Sequence, residues 1–243
     1  MSIVVPVLND EDSIEKFLGV LNLSNRYYRE VILVDGGSTD KTREKAIRYP
    51  KVKWVVYTEG RVYGARNYGA SLAKSDYLLF LDSDTLVYPE MFREIFKGMK
   101  NKVDCLATTD TPISGCLVKI QCYGYNLLRL LLARLRLRFF TTGNFILIRN
   151  RVFRNIGGFE IDINGDGRLG RKMITSSFCY SLLNCYRYVY VSGRFATSSV
   201  LQLNRHYFYA TIENFFPLCL KLPFFRNIRD GLQLVYFQKM REW

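Results

Sequence analysis

The 243 residues, 49% hydrophobic and 23% charged, describe a globular chain with enough apolar material for a sizeable core, and no repeat or low-complexity tract points to a solenoid or to disorder. The formal charge of +13 is unevenly placed: residues 1–120 hold 17 Lys and Arg against 16 Asp and Glu, leaving +12 to the remainder. A basic half of this kind attracts the phosphates of nucleic acid, anionic lipid headgroups or a lipid-phosphate substrate, and composition does not choose among them.

In chain order, residues 2–8 (SIVVPVL) form a β-branched run that ends at polar Asn9-Asp10 and reads as a buried parallel strand. DSIEKFLGVLNL follows, with acidic residues in its first turn and apolar residues at helical spacing, then a second strand at 30–34 (EVILV) that runs into Asp35-Gly36-Gly37. STDKTREKAI is predicted as a helix with Ser38 or Thr39 as its N-cap. A third strand at 52–57, a third helix at 65–74 and a wholly apolar fourth strand at 76–82 complete a β-α-β-α succession. The fold class is α/β, a mostly parallel sheet flanked by helices on both faces. Ligands of such sheets sit beyond the carboxyl ends of strands, where Asn9, Asp35 and Asp82 fall. Residues 123–140 read as a helix through Ala133 and then an RLRLR strand, and TTGNFILIRNRVFRNIGGF as strand, short helix and turn. After residue 175 the aromatic-rich segments show no clean periodicity.

The opening MSIVVPVLND lacks a basic n-region and a small-residue cleavage site, and no stretch reaches the roughly 18–20 apolar residues of a spanning helix. The expectation is a cytoplasmic protein that does not cross a membrane. The six cysteines show neither CxxC pairing nor metal-finger spacing and are read as buried thiols.

LLFLDSDT holds the strongest local chemistry, two carboxylates one residue apart at the end of a buried strand. A turn beginning at Asp82 brings Asp82 and Asp84 to one side, and hard oxygen ligands with diphosphate oxygens suit Mg2+ or Mn2+. The alternative is a solvated turn capping the next helix.

Together VVPVLND, EVILVDGGSTDKT, GARNYGASLAKSDYLLFLDSDT and GNFILIRNRVFRNIGGF resemble the family 2 glycosyltransferases of the GT-A fold, in that family's order and spacing over residues 2–172. The resemblance implies a metal-dependent, inverting enzyme whose donor is a UDP- or GDP-sugar. Pro6 and Asn9 would shape the first nucleotide loop, Asp35 would contact base or ribose, and Arg66 and Asn67 would lie near nucleotide and diphosphate. Asp84 would bind the metal directly, with Asp82 assisting. The family has Asp-Asp-Gly-Ser where this chain has Asp35-Gly36-Gly37-Ser38, which leaves the base undetermined. Asp166, in Gly165-Asp166-Gly167-Arg168-Leu169-Gly170-Arg171, is the candidate general base toward the acceptor. Arg168, standing where an acid is usual, suggests an anionic acceptor. His206, the single histidine, is a further candidate metal ligand. No late Gln-x-x-Arg-Trp motif is present, which points to transfer of one sugar rather than polymer synthesis.

The expected organisation is a donor-binding half (1–115), an acceptor-binding half of the same domain (116–175) and a basic, helical and aromatic C-terminal extension (176–243). Drawn as a helix, residues 127–139 put Leu128, Leu131, Leu132, Leu135 and Phe139 on one face flanked by Arg129, Arg134, Arg136 and Arg138, which suits an interfacial helix on an anionic membrane and a glycan or lipid-linked acceptor. Packing of that face in the core or in a homodimer is the alternative. Two other classes compete. LLFLDSDTL also fits the Asp-x-Asp-x-Thr opening of haloacid-dehalogenase-type phosphatases with Asp82 as nucleophile, although that motif normally opens its domain. The +12 half and abundant aromatics allow a nucleic-acid-binding module, the less favoured reading.

Overall fold

The computed structural model describes residues 1–108, 111–112, 123–124, 126–131, 144–161, 168–170, 172–173, 180–183 and 189–191, all within one compact unit, Met1–Thr197. A seven-stranded sheet has the order β3-β2-β1-β4-β8-β6-β9. Its strands are β1 (Ser2–Val7), β2 (Glu30–Asp35), β3 (Val52–Val56), β4 (Tyr77–Leu81), β6 (Cys105–Thr108), β8 (Phe145–Arg149) and β9 (Tyr180–Leu183). β1 runs parallel to β2 and β4, and β2 parallel to β3. β8 inserts antiparallel between β4 and β6, and β9 runs parallel to β6. A small second sheet joins β5 (Thr85–Val87), β10 (Val189–Val191) and β7 (Thr111–Pro112). Strands β9 and β10 thus bring residues from beyond 175 into the two sheets.

Strand alternation divides the core into two layers. Ile3, Val5, Val7, Val31, Leu33, Leu79 and Leu81 face one side, and Val4, Ile32, Val34, Leu78 and Phe80 the other. Both faces are covered, so the central strands are apolar along their length. On the first face α1 (Ile14–Asn22) buries Ile14, Phe17, Leu18 and Leu21, the i, i+3, i+4, i+7 stripe of an amphipathic helix. α4 (Pro89–Lys100) adds Met91, Phe92 and Ile95 to the same layer. The second face receives α3 (Val62–Leu72) and α5 (Asn150–Asn155). Gly69 lets α3 approach: a Cβ there would stand 2.5 Å from Val4 Cγ1 and 2.9 Å from Val34 Cγ2.

Several local expectations change. α2 is only Thr42–Ala46 with Lys41 at its N-cap, and Ser38 and Thr39 do not cap it. Their side chains bond to the neighbouring loops instead. α3 starts at Val62, three residues before the sequence suggested. Arg129, drawn on the flank of an apolar helix face, is fully buried and donates to Asn126 Oδ1 (3.1 Å) and the Thr108 carbonyl (3.2 Å). Tyr123, Leu127 and Leu131, at four-residue spacing on the stretch 123–131, are exposed by 45%, 69% and 52%. Residues 132–140 and 192–243, with Arg134, Arg136, Arg138 and the RLRLR strand, lie outside the described residues. Cys105 is a buried free thiol, and the other five cysteines also lie outside. Among the described residues no helix is long and apolar enough to cross a membrane.

Candidate functional site

Because β1, β2 and β4 are adjacent and parallel, their carboxyl ends share one edge of the sheet. Asn9 and Asp10 follow β1, Asp35 closes β2, and Asp82 follows β4. The β1–β4 ladder ends at Val4, so Pro6, which has no N–H to give, falls past its end while remaining opposite Val34.

Side chains lace these loops together. Buried Asp35 accepts at Oδ1 from the Ser38 N–H (2.9 Å) and hydroxyl (2.6 Å). Ser38 Oγ accepts from the Asn9 N–H (3.0 Å), and Asn9 Oδ1 accepts from the Thr39 N–H (2.9 Å). Asn9 has φ +52°, a left-handed conformation that asparagine tolerates better than most residues. Asp10 reaches across to the β4 loop, its Oδ2 accepting from the Ser83 hydroxyl (2.7 Å) and the Leu8 N–H (3.2 Å). The structure therefore joins Asn9, Asp35 and the Asp82–Asp84 turn at one edge, as the strand reading expects.

Arg66 lies on α3, 2% exposed, and its guanidinium forms an ion pair with Asp82 Oδ1. Its Cζ stands 5.4 Å from the Tyr63 ring centroid and 5.7 Å from that of Phe159, within cation–π range. A buried, doubly flanked arginine holds one oxygen of Asp82 in place. Half-buried Asp84 is crowded differently: burial first, then the charges of Asp82 and Asp10, push its carboxyl up to about 7. Asp10, Asp82 and Asp84 gather around Ser83, and a cation there would moderate the repulsion that Asp82 and Asp10 exert on Asp84.

Among the described residues no three His, Cys, Asp or Glu side chains form a metal-holding group. Asp82 and Asp84 could supply two carboxylates of the kind that holds Mg2+ or Mn2+ together with substrate phosphates. Asn67 is placed beside Arg66, but its amide is engaged with the backbone of Phe159, donating to the carbonyl (2.8 Å) and accepting from the N–H (3.0 Å). Arg168, read as a hint of an anionic acceptor, pairs with Glu160, as does Lys172 at 3.2 Å. Hydrogen bonds from Arg168 and Lys172 hold the Glu160 carboxyl below its ordinary value. Asp166 and His206 lie outside the described residues. Sequence reasoning missed Asp10, Ser83, Tyr63 and Phe159. Asp10 closes the quoted VVPVLND run and Ser83 separates the two aspartates, but no spacing rule pairs residues 73 positions apart.

Solved structures share this fold. The chain superposes on a mannosyltransferase from Pyrobaculum calidifontis in complex with GDP-Man and Mn2+ with a TM-score of 0.63 and 18% identity, covering 79% of this chain and 56% of that one. S. aureus TarS 1-349 in complex with UDP-GlcNAc gives 0.62 and 20%, covering 82% and 60%. The fold is GT-A. The model of glycosyl transferase family 2 matches residues 2–157, and the chain belongs to that family. A validoxylamine A glucosyltransferase of Streptomyces hygroscopicus subsp. limoneus is 32% identical over 133 residues, 52% of this chain and 27% of the relative. The minor teichoic acid biosynthesis protein GgaB of Bacillus subtilis is 32% identical over 116 residues, 44% and 13%. The chain thus spans little more than a quarter, at most, of these relatives' length.

Proposed function

We propose that this chain transfers one sugar from a UDP- or GDP-sugar to an acceptor with inversion, binding the donor at the carboxyl edge of β1, β2 and β4. The observation that supports this most is Asp84, a carboxylate pushed up to about 7 by burial and by Asp82 and Asp10, beside a second carboxylate that Arg66 fixes. Asp84 directly and Asp82 in support would hold Mn2+ or Mg2+, which when bound would neutralise charge on the leaving nucleoside diphosphate. The Asn9–Ser38–Asp35 bonds, with Pro6 beneath, would preform the wall that meets base and ribose. The solved neighbours hold GDP-Man with Mn2+ and UDP-GlcNAc, which supports this donor class. Residues 1–115 would form the donor half and 116–175 the acceptor half, with Asp166 deprotonating an acceptor hydroxyl and His206 as a further ligand of the cation. A phosphate acceptor would need no strong base.

The acceptor is proposed to be glycan or lipid-linked and presented at an anionic membrane, with the protein peripheral on its cytoplasmic face. The stretch 123–131 supports this by turning Tyr123, Leu127 and Leu131 outward while burying Asn126 and Arg129, beside a half of the chain that carries +12. Co-sedimentation with anionic vesicles should exceed that with neutral ones and fall when Arg134, Arg136 and Arg138 are replaced. Equal binding to both vesicle types rejects the membrane reading.

The donor assignment is tested by thermal-shift screening of nucleoside-diphosphate sugars with and without Mn2+. Stabilisation by a UDP- or GDP-sugar only with the metal is the expected result. Unchanged turnover of Asp84→Ala in excess EDTA would overturn it.

A further inference from the structure

The contacts of Asn67 differ from those expected of a nucleotide ligand. Its side-chain amide closes two hydrogen bonds with one peptide partner, Nδ2 to the Phe159 carbonyl at 2.8 Å and the Phe159 N–H to Oδ1 at 3.0 Å, across 92 residues of chain. With both ends of the amide occupied, the side chain behaves as a clamp on the segment that leaves α5.

The clamped segment is shaped to meet it. Gly157 and Gly158 have φ of +76° and +67°, and the Gly158 N–H donates to the Phe153 carbonyl at 2.9 Å, so α5 is stopped by a left-handed turn. At Gly157 a Cβ would meet nothing within 4 Å, so only its backbone angle asks for glycine. At Gly158 a Cβ would stand 2.7 Å from Asn67 Oδ1 and 3.3 Å from the Phe153 ring. Glycine there serves both the turn and the approach of Asn67.

Phe159, 2% exposed, meets Phe80 edge-on at 4.9 Å between centroids and Tyr63 at 5.6 Å. The same ring lies 5.7 Å from the Arg66 guanidinium, which is ion-paired to Asp82. Immediately beyond Phe159, Glu160 receives Arg168 and Lys172, and Leu169 and Met173 return to the core under α3. One helix thus presents Arg66 to the donor-side carboxylate and, one residue on, Asn67 to the root of the acceptor-side segment.

We propose that Asn67 is a positioning residue for the acceptor side: through Phe159 it holds Phe159–Ile161, and by way of Glu160 also Arg168 and Lys172, in place against the Arg66–Asp82 pair, and it makes no contact with the nucleotide. Resting on the donor assignment above, the idea deepens it by separating two adjacent α3 residues into a donor-side and an acceptor-side role.

The test uses the full chain with Mn2+ and two donor probes, UDP-N-acetylglucosamine and GDP-mannose, carrying forward whichever binds. For wild type and Asn67→Ala, calorimetry gives donor affinity. Nucleoside diphosphate release is measured with water alone and with a panel of monosaccharide and polyprenyl-phosphate acceptors. The expected result for Asn67→Ala is a donor Kd within about threefold of wild type, water-dependent release within about threefold, and acceptor-dependent release reduced at least tenfold. Hydrogen exchange should speed up in residues 157–170 and not in 82–87. Asn67→Asp, which keeps the acceptor for the Phe159 N–H, should restore part of the acceptor-dependent rate, and this comparison also stands if the alanine variant does not fold. A tenfold loss of donor affinity would return Asn67 to the nucleotide, and an undiminished acceptor-dependent rate would make the clamp irrelevant to transfer. Either outcome overturns the proposal. Failure of the wild type to bind any of the donors would instead strike the donor assignment.

Discussion

The two ends of the central parallel strands each hold a carboxylate in a confined place, and the two are treated in opposite ways. At the amino end, the Glu30 side chain is 4% exposed yet fully satisfied: it pairs with Lys53 and accepts from the Ser2 hydroxyl (2.7 Å) and the Lys74 N–H (3.2 Å). Burial alone would raise this carboxyl, but Lys53, Ser2 and Lys74 outweigh it and hold the group at about 2. At the carboxyl end, burial and the like charges of Asp82 and Asp10 push Asp84 up to about 7. The comparison separates a carboxylate that its neighbours hold ionised from one that its neighbours push toward the protonated form. Stability lives at one end of these strands and the proposed chemistry at the other.

The largest expected effect sits at the carboxyl end. Asp84→Ala should lower metal-dependent turnover by a hundredfold or more, since a lost metal ligand removes several kcal/mol of charge stabilisation. The same change should not lower the melting temperature of the metal-free protein at pH 8, because it removes a repelled charge. A variant that unfolds would contradict the contrast.

How much of this was legible depends on distance along the chain. The runs at 2–8, 30–34 and 76–82 announced β1, β2 and β4 because strands covered on both faces must be apolar throughout, and Asp82-Ser83-Asp84 followed from its place at a strand end. The strand read in TTGNFILIRNRVFRNIGGF is β8, but its antiparallel direction was not legible, since an antiparallel strand buried on both faces shows the same apolar run as a parallel one. Ser38 looked like a helix cap but serves Asp35 and Asn9, a choice made by a loop 29 residues away. Arg129 looked like a flank of an apolar face, and the Thr108 carbonyl, 21 residues away, together with Asn126 receives its buried guanidinium. Asp10 and Asn67 stayed obscure for the same reason: their partners are 73 and 92 residues distant.

At the amino end, Glu30→Gln should destabilise the protein by about 1–3 kcal/mol at pH 7, read by urea unfolding, while leaving kcat within about twofold. Lys53 is half exposed and can turn to water, which keeps the loss toward the lower part of that range. Gly69→Ala should cost a similar 1–3 kcal/mol by forcing α3 away from Val4 and Val34, with donor affinity changed mainly through Arg66 on the same helix.

The pH dependences should have opposite signs. Glu30, lowered in the folded state, contributes stability that is present above the ordinary carboxylate range and lost as pH falls from about 4.5 toward 2. Asp84, raised in the folded state, favours folding while protonated, and that contribution is lost as pH rises from about 4 through 7. Unfolding of metal-free Asp84→Asn between pH 2 and 8 should lose that second slope and keep the first. A proton and a cation compete for Asp84, so Mn2+ affinity should fall about tenfold per pH unit below 7.

The most direct test is calorimetric titration of UDP and GDP into the wild type and Asp84→Ala at pH 8, with Mn2+ and with EDTA. At least one nucleoside diphosphate should bind the wild type only with Mn2+, and Asp84→Ala should lose that binding. Equal affinity in EDTA, or undiminished Mn2+-dependent binding by Asp84→Ala, would contradict the assignment of the carboxyl edge as a cation-assisted donor site.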